Sequence, residues 1–417
     1  MIHRISVCLG YLLTLGVSGR PAVAQVPSNS SDAAGALTWQ DVYRRVATHP
    51  SITAAGQSAD AARLGVDAVG VIDNPSLSGQ AAYGKSREGN DARVEWGLSL
   101  SMPFGWLGTR AGDKAIARAE AAEVEAEVLA LRRRLLLGAS ERFWRLAEAE
   151  ARVGAISALD EETAKLEATV AARVDKGDAR PVEGMRIAVA SAKVKGELLR
   201  AEGALETARE SLALWIGVEN VASLRIAADL TRLPTVVTKQ EATQRILAVH
   251  PALLAEKARI EVRAGEVTAA EKARRPDVEV EIFTEQELDK SSYGGGIGVE
   301  LPLWQREQGR IRYAKARLVA KKGAQAGVLR LVQEEALAAY EACSVGVEVA
   351  SHYRDTVLPK AAAAAKVVAR TFELGEAPLI DVIDARRTLI ETRTEYLDTL
   401  GAAQRDCGHL TVLMGER

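Results

Sequence analysis

Five histidines and three cysteines are the side chains best able to hold a metal or act as nucleophiles. His49, His250, His352 and His409 include no i, i+4 pair and no HxH, and His3 lies at the extreme N-terminus. No helix face therefore offers two imidazoles to one ion, and no tight Zn, Ni or Co site is legible. His49 and His250 each precede a proline, which reads as a helix end. Cys8, Cys343 and Cys407 contain no CxxC pair and cannot build a disulfide framework; the last two read as isolated. No nucleophile–base motif of a hydrolase appears. Gly294-Gly295-Gly296 reads as a flexible turn on the hairpin side of a strand pair, and no strand-to-helix phosphate motif surrounds it. The sequence predicts no catalysis and no cofactor.

Two acids stand out. Asp381 and Asp384 are three apart and so share a helix face, with Asp381 placed to complement a helix dipole from the first turn. Just before them, Gly375-Glu376-Ala377-Pro378 repeats the pattern of Gly177-Asp178-Ala179-Arg180-Pro181. Glycine at a helix C-terminus takes a left-handed conformation without steric cost. Pro181 and Pro378 fit the first turn of a following helix, where a missing N–H costs nothing.

Long elements must position these turns. Small apolar residues mixed with 26% charged residues suit long, closely packed helices. The formal charge of −2 gives no reason to expect nucleic acid as a partner. Met1–Arg4 is basic, residues 5–17 are apolar, and Ala22-Val23-Ala24 is a small-x-small cleavage site. Residues 1–24 thus read as a signal peptide, with the mature chain beginning at Gln25. No later run of ~18 apolar residues appears, so an exported chain meets a membrane, if at all, as β-structure.

The rest is duplicated. Thr48-His49-Pro50 recurs as Val249-His250-Pro251 at an offset of 201, and Ser101-Met102-Pro103-Phe104 as Glu300-Leu301-Pro302-Leu303 at 199. Gly177-Asp178-Ala179 recurs as Gly375-Glu376-Ala377 at 198. The expected repeats are 25–217 and 238–417, joined by a linker over 218–237. Each half reads as a helix (38–72; 238–274), two strands (75–84 with 93–103; 277–287 with 293–303), a long helix (110–176; 307–374) and a shorter helix (181–216; 379–414). A ~67-residue helix spans roughly 100 Å, and two ~35-residue helices stacked end to end match it. Ile187, Val194, Ala201, Ala208 and Trp215 are spaced by seven, interleaved with Ser191, Leu198, Leu205 and Leu212. Ile156, Leu159, Thr163, Leu166 and Val170 run three, four, three, four. These are coiled-coil positions, and the helices alone fit a simple antiparallel coiled coil.

The strands discriminate. Val94, Trp96, Leu98, Leu100 and Met102 alternate with Glu95, Gly97, Ser99 and Ser101; Val278, Val280 and Ile282 alternate with Glu279 and Glu281; Ile297, Val299, Leu301 and Leu303 alternate with Gly298 and Glu300. Ten residues of alternation match a tilted transmembrane strand as well as half-buried strands of a soluble sheet. Four strands cannot close a barrel, so a membrane reading requires several chains. Pro103 and Pro302 close the second strand of each pair.

Signal peptide, two repeats, two strands per repeat and long helical hairpins together resemble the TolC-like outer-membrane factor family across the mature chain. Phe372–Ala385 (FELGEAPLIDVIDA) is similar to that family's second periplasmic hairpin tip. Leu301–Gly309 (LPLWQREQG) resembles the PLPLF-x-R-x-QG stretch of its cobalt–zinc–cadmium and nickel–cobalt export branch. The resemblance implies a mainly α fold with a small β part: a homotrimer building a periplasmic α-helical tunnel and a 12-stranded outer-membrane β-barrel, four strands per chain. It implies a passive conduit exporting divalent heavy-metal cations, nickel and cobalt foremost, with a periplasmic adaptor (membrane fusion protein) and a proton-driven resistance–nodulation–division pump. A drug-efflux or type I secretion channel, or a soluble periplasmic coiled-coil scaffold, are the alternatives. By the same resemblance Gly177, Asp178, Arg180, Pro181, Gly375, Glu376 and Pro378 form adaptor-docking tips. Asp381 and Asp384, with Glu183 at the corresponding place in the first repeat, would line the periplasmic gate. Ala377 stands where some members carry a basic gate residue.

Overall fold

The computed structural model describes residues 36–71, 73–85, 92–104, 106–287, 290–300 and 307–415. The expected signal peptide, Pro302 and most of the LPLWQREQG stretch lie outside them. The first half runs α1 (Trp39–Ala47), α2 (Pro50–Ala68), β1 (Ser76–Lys85), β2 (Ala92–Pro103), α3 (Trp106–Asp175) and α4 (Pro181–Ile216). The second runs α5 (Lys239–Val249), α6 (Pro251–Lys272), β3 (Asp277–Gln286), β4 (Ser291–Glu300), α7 (Gln308–His352), a π-turn (Tyr353–Val357), α8 (Leu358–Glu373) and α9 (Leu379–Leu413). The two-fold repeat is visible in this element order.

At 1.5 Å per residue, the 70 residues of α3 make a rod of about 105 Å. The shorter α2, α4, α6 and α9 all pack against that rod, and α7 packs on α6 and α9. The coiled-coil positions hold the helices together: Ile156, Leu198 and Ala201 form one buried cluster, and Val170, Ile187 and Leu379 another. The largest core lies near the upper end of α4, where Phe143, Leu146 and Leu212 are fully buried. There the Trp215 indole occupies the space a side chain at Gly138 would need, donates to the Leu135 carbonyl at 3.0 Å, and is stacked by Arg142 at 3.8 Å.

Residues 218–237 do not hang free between the halves. Leu37 pairs with Ile226, Leu224 and Leu230 are buried, and the Gln404 amide donates to the carbonyls of Leu230 (3.2 Å) and Arg232 (2.8 Å).

Four expectations are corrected. The helices expected over 38–72 and 238–274 each break in two. His49 and His250 cap the second piece through Nδ1, accepting from Ser51 N–H and Ala252 N–H at 3.2 Å, and the prolines take the first helical turn. The long helix expected over 307–374 is interrupted by the π-turn, because Pro359 cannot donate a backbone hydrogen bond and its ring crowds the preceding turn. Gly294-Gly295-Gly296 is not a turn. It lies inside β4 paired with Phe283, Ile282 and Glu281, and the chain reverses instead where Glu287 N–H meets the Lys290 carbonyl at 2.8 Å. The Phe283 ring lies over Gly294, where a side chain would otherwise stand. Cys343 and Cys407 are not isolated: they form a disulfide between α7 and α9 across a separation of 64 residues. Each sits on the buried stripe of its helix, which cysteine counting alone does not register.

Candidate functional site

The two hairpin tips, α3–α4 and α8–α9, share one backbone design. Gly177 has φ +80° and Gly375 φ +81°. Asp178 N–H reaches the Arg173 carbonyl (2.8 Å) and Gly177 N–H the Val174 carbonyl (3.0 Å). Glu376 N–H reaches Thr371 (2.9 Å) and Gly375 N–H reaches Phe372 (3.0 Å) in the same way. These paired bonds satisfy the last free carbonyls of each helix. The prolines are not equivalent, which corrects their common placement in a first turn. Pro181 opens α4, whereas Pro378 is the residue before α9, with ψ 154°. An extended N-cap suits the fixed φ of proline, so both positions tolerate it.

Apolar packing brings the tips together: Phe372 and Ile383 close over Val170, Ile187 and Leu379, and the Arg173 guanidinium lies 5.4 Å from the Phe372 ring centroid. Their charges differ. Arg180 grips Glu183 in the first tip (3.0 Å), while Pro378 stands at the position corresponding to Arg180 in the second. Asp381 and Asp384 are exposed on the first turns of α9, and no cation pairs with either among the described residues. Of the three acids expected at the gate, two thus present bare carboxylates and Glu183 is offset by its own chain.

The sheet carries a feature that reading the apolar phase left aside. Its strand order is β1-β2-β3-β4, all antiparallel, with β1 and β4 as open edges. The register puts Leu77, Tyr83, Trp96, Leu98, Leu100, Val280, Ile282, Tyr293 and Ile297 on one face, all exposed in the single chain. The other face carries Glu95, Glu279, Glu281, Glu285 and Glu300, and the register also places Arg93 there, opposite Gly84. The glutamates were legible as the intervening residues of the alternation. Only the register between strands shows that they share a face.

Among the described residues no helix is long and apolar enough to cross a membrane, and no cluster of three potential metal ligands occurs. An apolar face on a four-stranded sheet with two open edges, above helices of this length, is the arrangement of one share of a common barrel.

Residues 242–416 match the family model described as "Outer membrane efflux protein". Over 99% of its length it is 26% identical to the whole of the cobalt-zinc-cadmium resistance protein CzcC of Cupriavidus metallidurans. A membrane protein from Pseudomonas aeruginosa superposes with a TM-score of 0.73 at 17% identity, covering 90% of this chain and 93% of that one. The outer membrane protein VceC from Vibrio cholerae superposes with a TM-score of 0.72 at 18% identity, covering 91% and 96%. The fold is the one these outer-membrane proteins share, a small antiparallel sheet with long antiparallel helices. Outer membrane efflux proteins are channels rather than enzymes.

His250 is a buried group whose pKa its surroundings displace. His250 Nδ1 accepts the Ala252 N–H, so the neutral ring keeps its proton on Nε2 and donates it to Glu335 Oε2 at 3.1 Å. Burial and the nearby Arg133 guanidinium hold its pKa below the ordinary 6.5, against the smaller pull of Glu335. The folded chain therefore binds fewer protons here than the unfolded chain. This contribution to stability is complete above pH ~6.5 and is lost as pH falls through the lower folded value. Urea melts at pH 7.5 and 5.5 should show a lower midpoint at 5.5. His250→Asn, which keeps a capping side chain, should show a smaller difference; an unchanged difference would refute the assignment.

Proposed function

We propose that three copies of this chain form a channel of a tripartite, proton-driven efflux system that exports divalent heavy-metal cations. The observation carrying this reading is the end-to-end relation to a cobalt-zinc-cadmium resistance protein. The chemistry of the lumen supports it. Four strands with two open edges need partners in lipid, and closing such sheets into a ring puts the apolar face outward and the glutamate face inward. Rings of carboxylates favour cations and oppose anions without holding them in a chelate. Asp381 and Asp384 would add two such rings at the periplasmic entrance, where the tips from Gly177 to Pro181 and from Gly375 to Pro378 would meet a periplasmic adaptor that links to an inner-membrane resistance–nodulation–division pump.

The test is deletion of the gene followed by growth in nickel, cobalt, cadmium and zinc beside a drug panel. Sensitivity to divalent metals alone, restored by the intact chain, supports the proposal. Sensitivity to drugs alone overturns the cargo and leaves a channel. In planar bilayers, the Asp381→Asn, Asp384→Asn double variant should lower the cation-to-anion permeability ratio severalfold. An unchanged ratio would remove these residues from the selective path.

A further inference from the structure

We propose that the cavity between α3 and α4 binds a small oxyanion carrying two or more negative charges, held by arginines from α3 and α9. The cavity measures about 470 Å³, a size that takes a small-molecule ligand. Arg142, Arg145, Glu148 and Arg152 line it from α3, Arg405 reaches in from α9, and α4 contributes Ala204 and other small side chains. Its walls therefore hold four guanidiniums against one carboxylate.

Like charges on one helix face repel, so packing of α3 on α4 gives no reason to gather them. The second repeat builds its hairpin without them. Along α7 no lysine or arginine stands between Ala339 and His352. There the seam is shut: Cys343 is bonded to Cys407, and a side chain at Gly346 would lie 3.2 Å from the Ala403 Cα. The first repeat keeps its seam open and charged.

The guanidiniums have donors to spare. Arg142 donates to the Gly138 carbonyl at 2.9 Å and lies on the Trp215 ring, with no carboxylate against it among the described residues. Arg145 pairs with Glu141 at 2.7 Å, Arg152 with Asp398 at 3.1 Å, and Arg405 with Glu148. Each of these contacts engages one nitrogen of a fork that carries five N–H groups. Glu141 and Asp398 stand outside the lining and offset two of the charges, so the site favours a ligand by fork geometry as well as by net charge. A polycarboxylate or phosphate offers several acceptor oxygens to planar forks, which a halide does not. The stack on Trp215 fixes Arg142 in advance, which lowers the cost of binding.

The cavity also has a defined side. Trp144, Ala147 and Ala151 of α3 pack beneath Ile226, Leu230 and Leu233 of the inter-repeat segment. Arg145, Ala149 and Arg152 lie roughly 130° further round the same helix. On the channel reading, that segment wraps the outside of the tunnel, since inside it would obstruct the path, and the cavity opens on the tunnel side. A bound anion there would offset the positive charge that opposes a passing divalent cation.

Isothermal titration of the purified full-length protein with citrate and with inorganic phosphate, at low salt, tests the site. Saturable binding of either at one per chain is expected, and no saturable binding of both overturns it. Arg145 is exposed and paired only within its own helix, so Arg145→Gln should fold and bind on the order of tenfold more weakly. Arg44→Gln removes the same charge from α1 and should leave binding unchanged; an equal loss would show general charge attraction and overturn the site. Ala204→Glu, at an exposed lining position, tethers a carboxylate in the cavity and should abolish binding; undiminished binding also overturns it. These readouts do not depend on cargo or on channel formation. In planar bilayers citrate should raise the cation-to-anion permeability ratio severalfold, and an unchanged ratio with binding intact overturns the tunnel-side placement alone.

Discussion

Ile282→Arg is expected to block stable insertion of the protein in the outer membrane, while Glu281→Arg, one residue away, is expected to leave insertion intact. Ile282 lies at the middle of β3, opposite Leu100 and Gly295 on the apolar face, and is 58% exposed in the single chain. That exposure is ordinary for a side chain that meets lipid and anomalous for one meant to meet water. An arginine at mid-membrane on the lipid face of a barrel costs about 2–4 kcal/mol. Glu281 is on the opposite face, which the proposed channel turns toward its water-filled lumen, where a guanidinium keeps its hydration. Its replacement should instead lower the preference for cations. Membrane fractionation with heat-modifiable migration on gels reads the first effect, and bilayer reversal potentials read the second. Equal behaviour of the two variants would refute the assignment of the faces.

The second large effect is expected at the disulfide. Cys343→Ala with Cys407→Ala removes a cross-link that closes a loop of 64 residues. Chain-entropy reasoning gives such a loop about 4 kcal/mol of stabilisation, part of which native-state relaxation offsets. The denaturation midpoint of the double variant should fall well below that of the oxidised parent, and the parent in reducing buffer should approach the variant. A parent whose midpoint is insensitive to reductant would show that the bond contributes nothing. The expected loss is largest for the helical part near α7 and α9, because both cysteines sit in the core cluster that includes Val332, Ala336 and Leu410.

How much of this was legible beforehand depends on the range of the interaction. Helix ends whose signals are local read well: Gly177 and Gly375, whose positive φ is needed within one turn, fell where the helices stop. The strand alternation also read well, since a period of two follows from the pleat alone. Misreadings came where a local signal was ambiguous or was overridden. Gly294-Gly295-Gly296 looks like a turn to any local rule, but pairing with β3 holds it extended, with the Phe283 ring over Gly294. Pro359 had a local signal, the one residue in the long apolar-and-charged run without an N–H, and its effect on the helix was missed. Cys343 and Cys407 could not be paired from spacing, because their meeting depends on how α7 and α9 align.

The sequence by itself determined the duplication, the glycine turns at the two hairpin tips and the face pattern of the strands, because each follows from spacing along one chain. Tertiary structure alone decided which faces meet. It joined the strands of both repeats into one sheet through β2 and β3, gathered the glutamates on one side of it, and brought the two tips together around Val170, Ile187 and Leu379. The same alignment left Asp381 and Asp384 bare while Arg180 covered Glu183. Periodicity sets which residues share a face, but the register between elements is a balance of long-range packing that no single segment encodes.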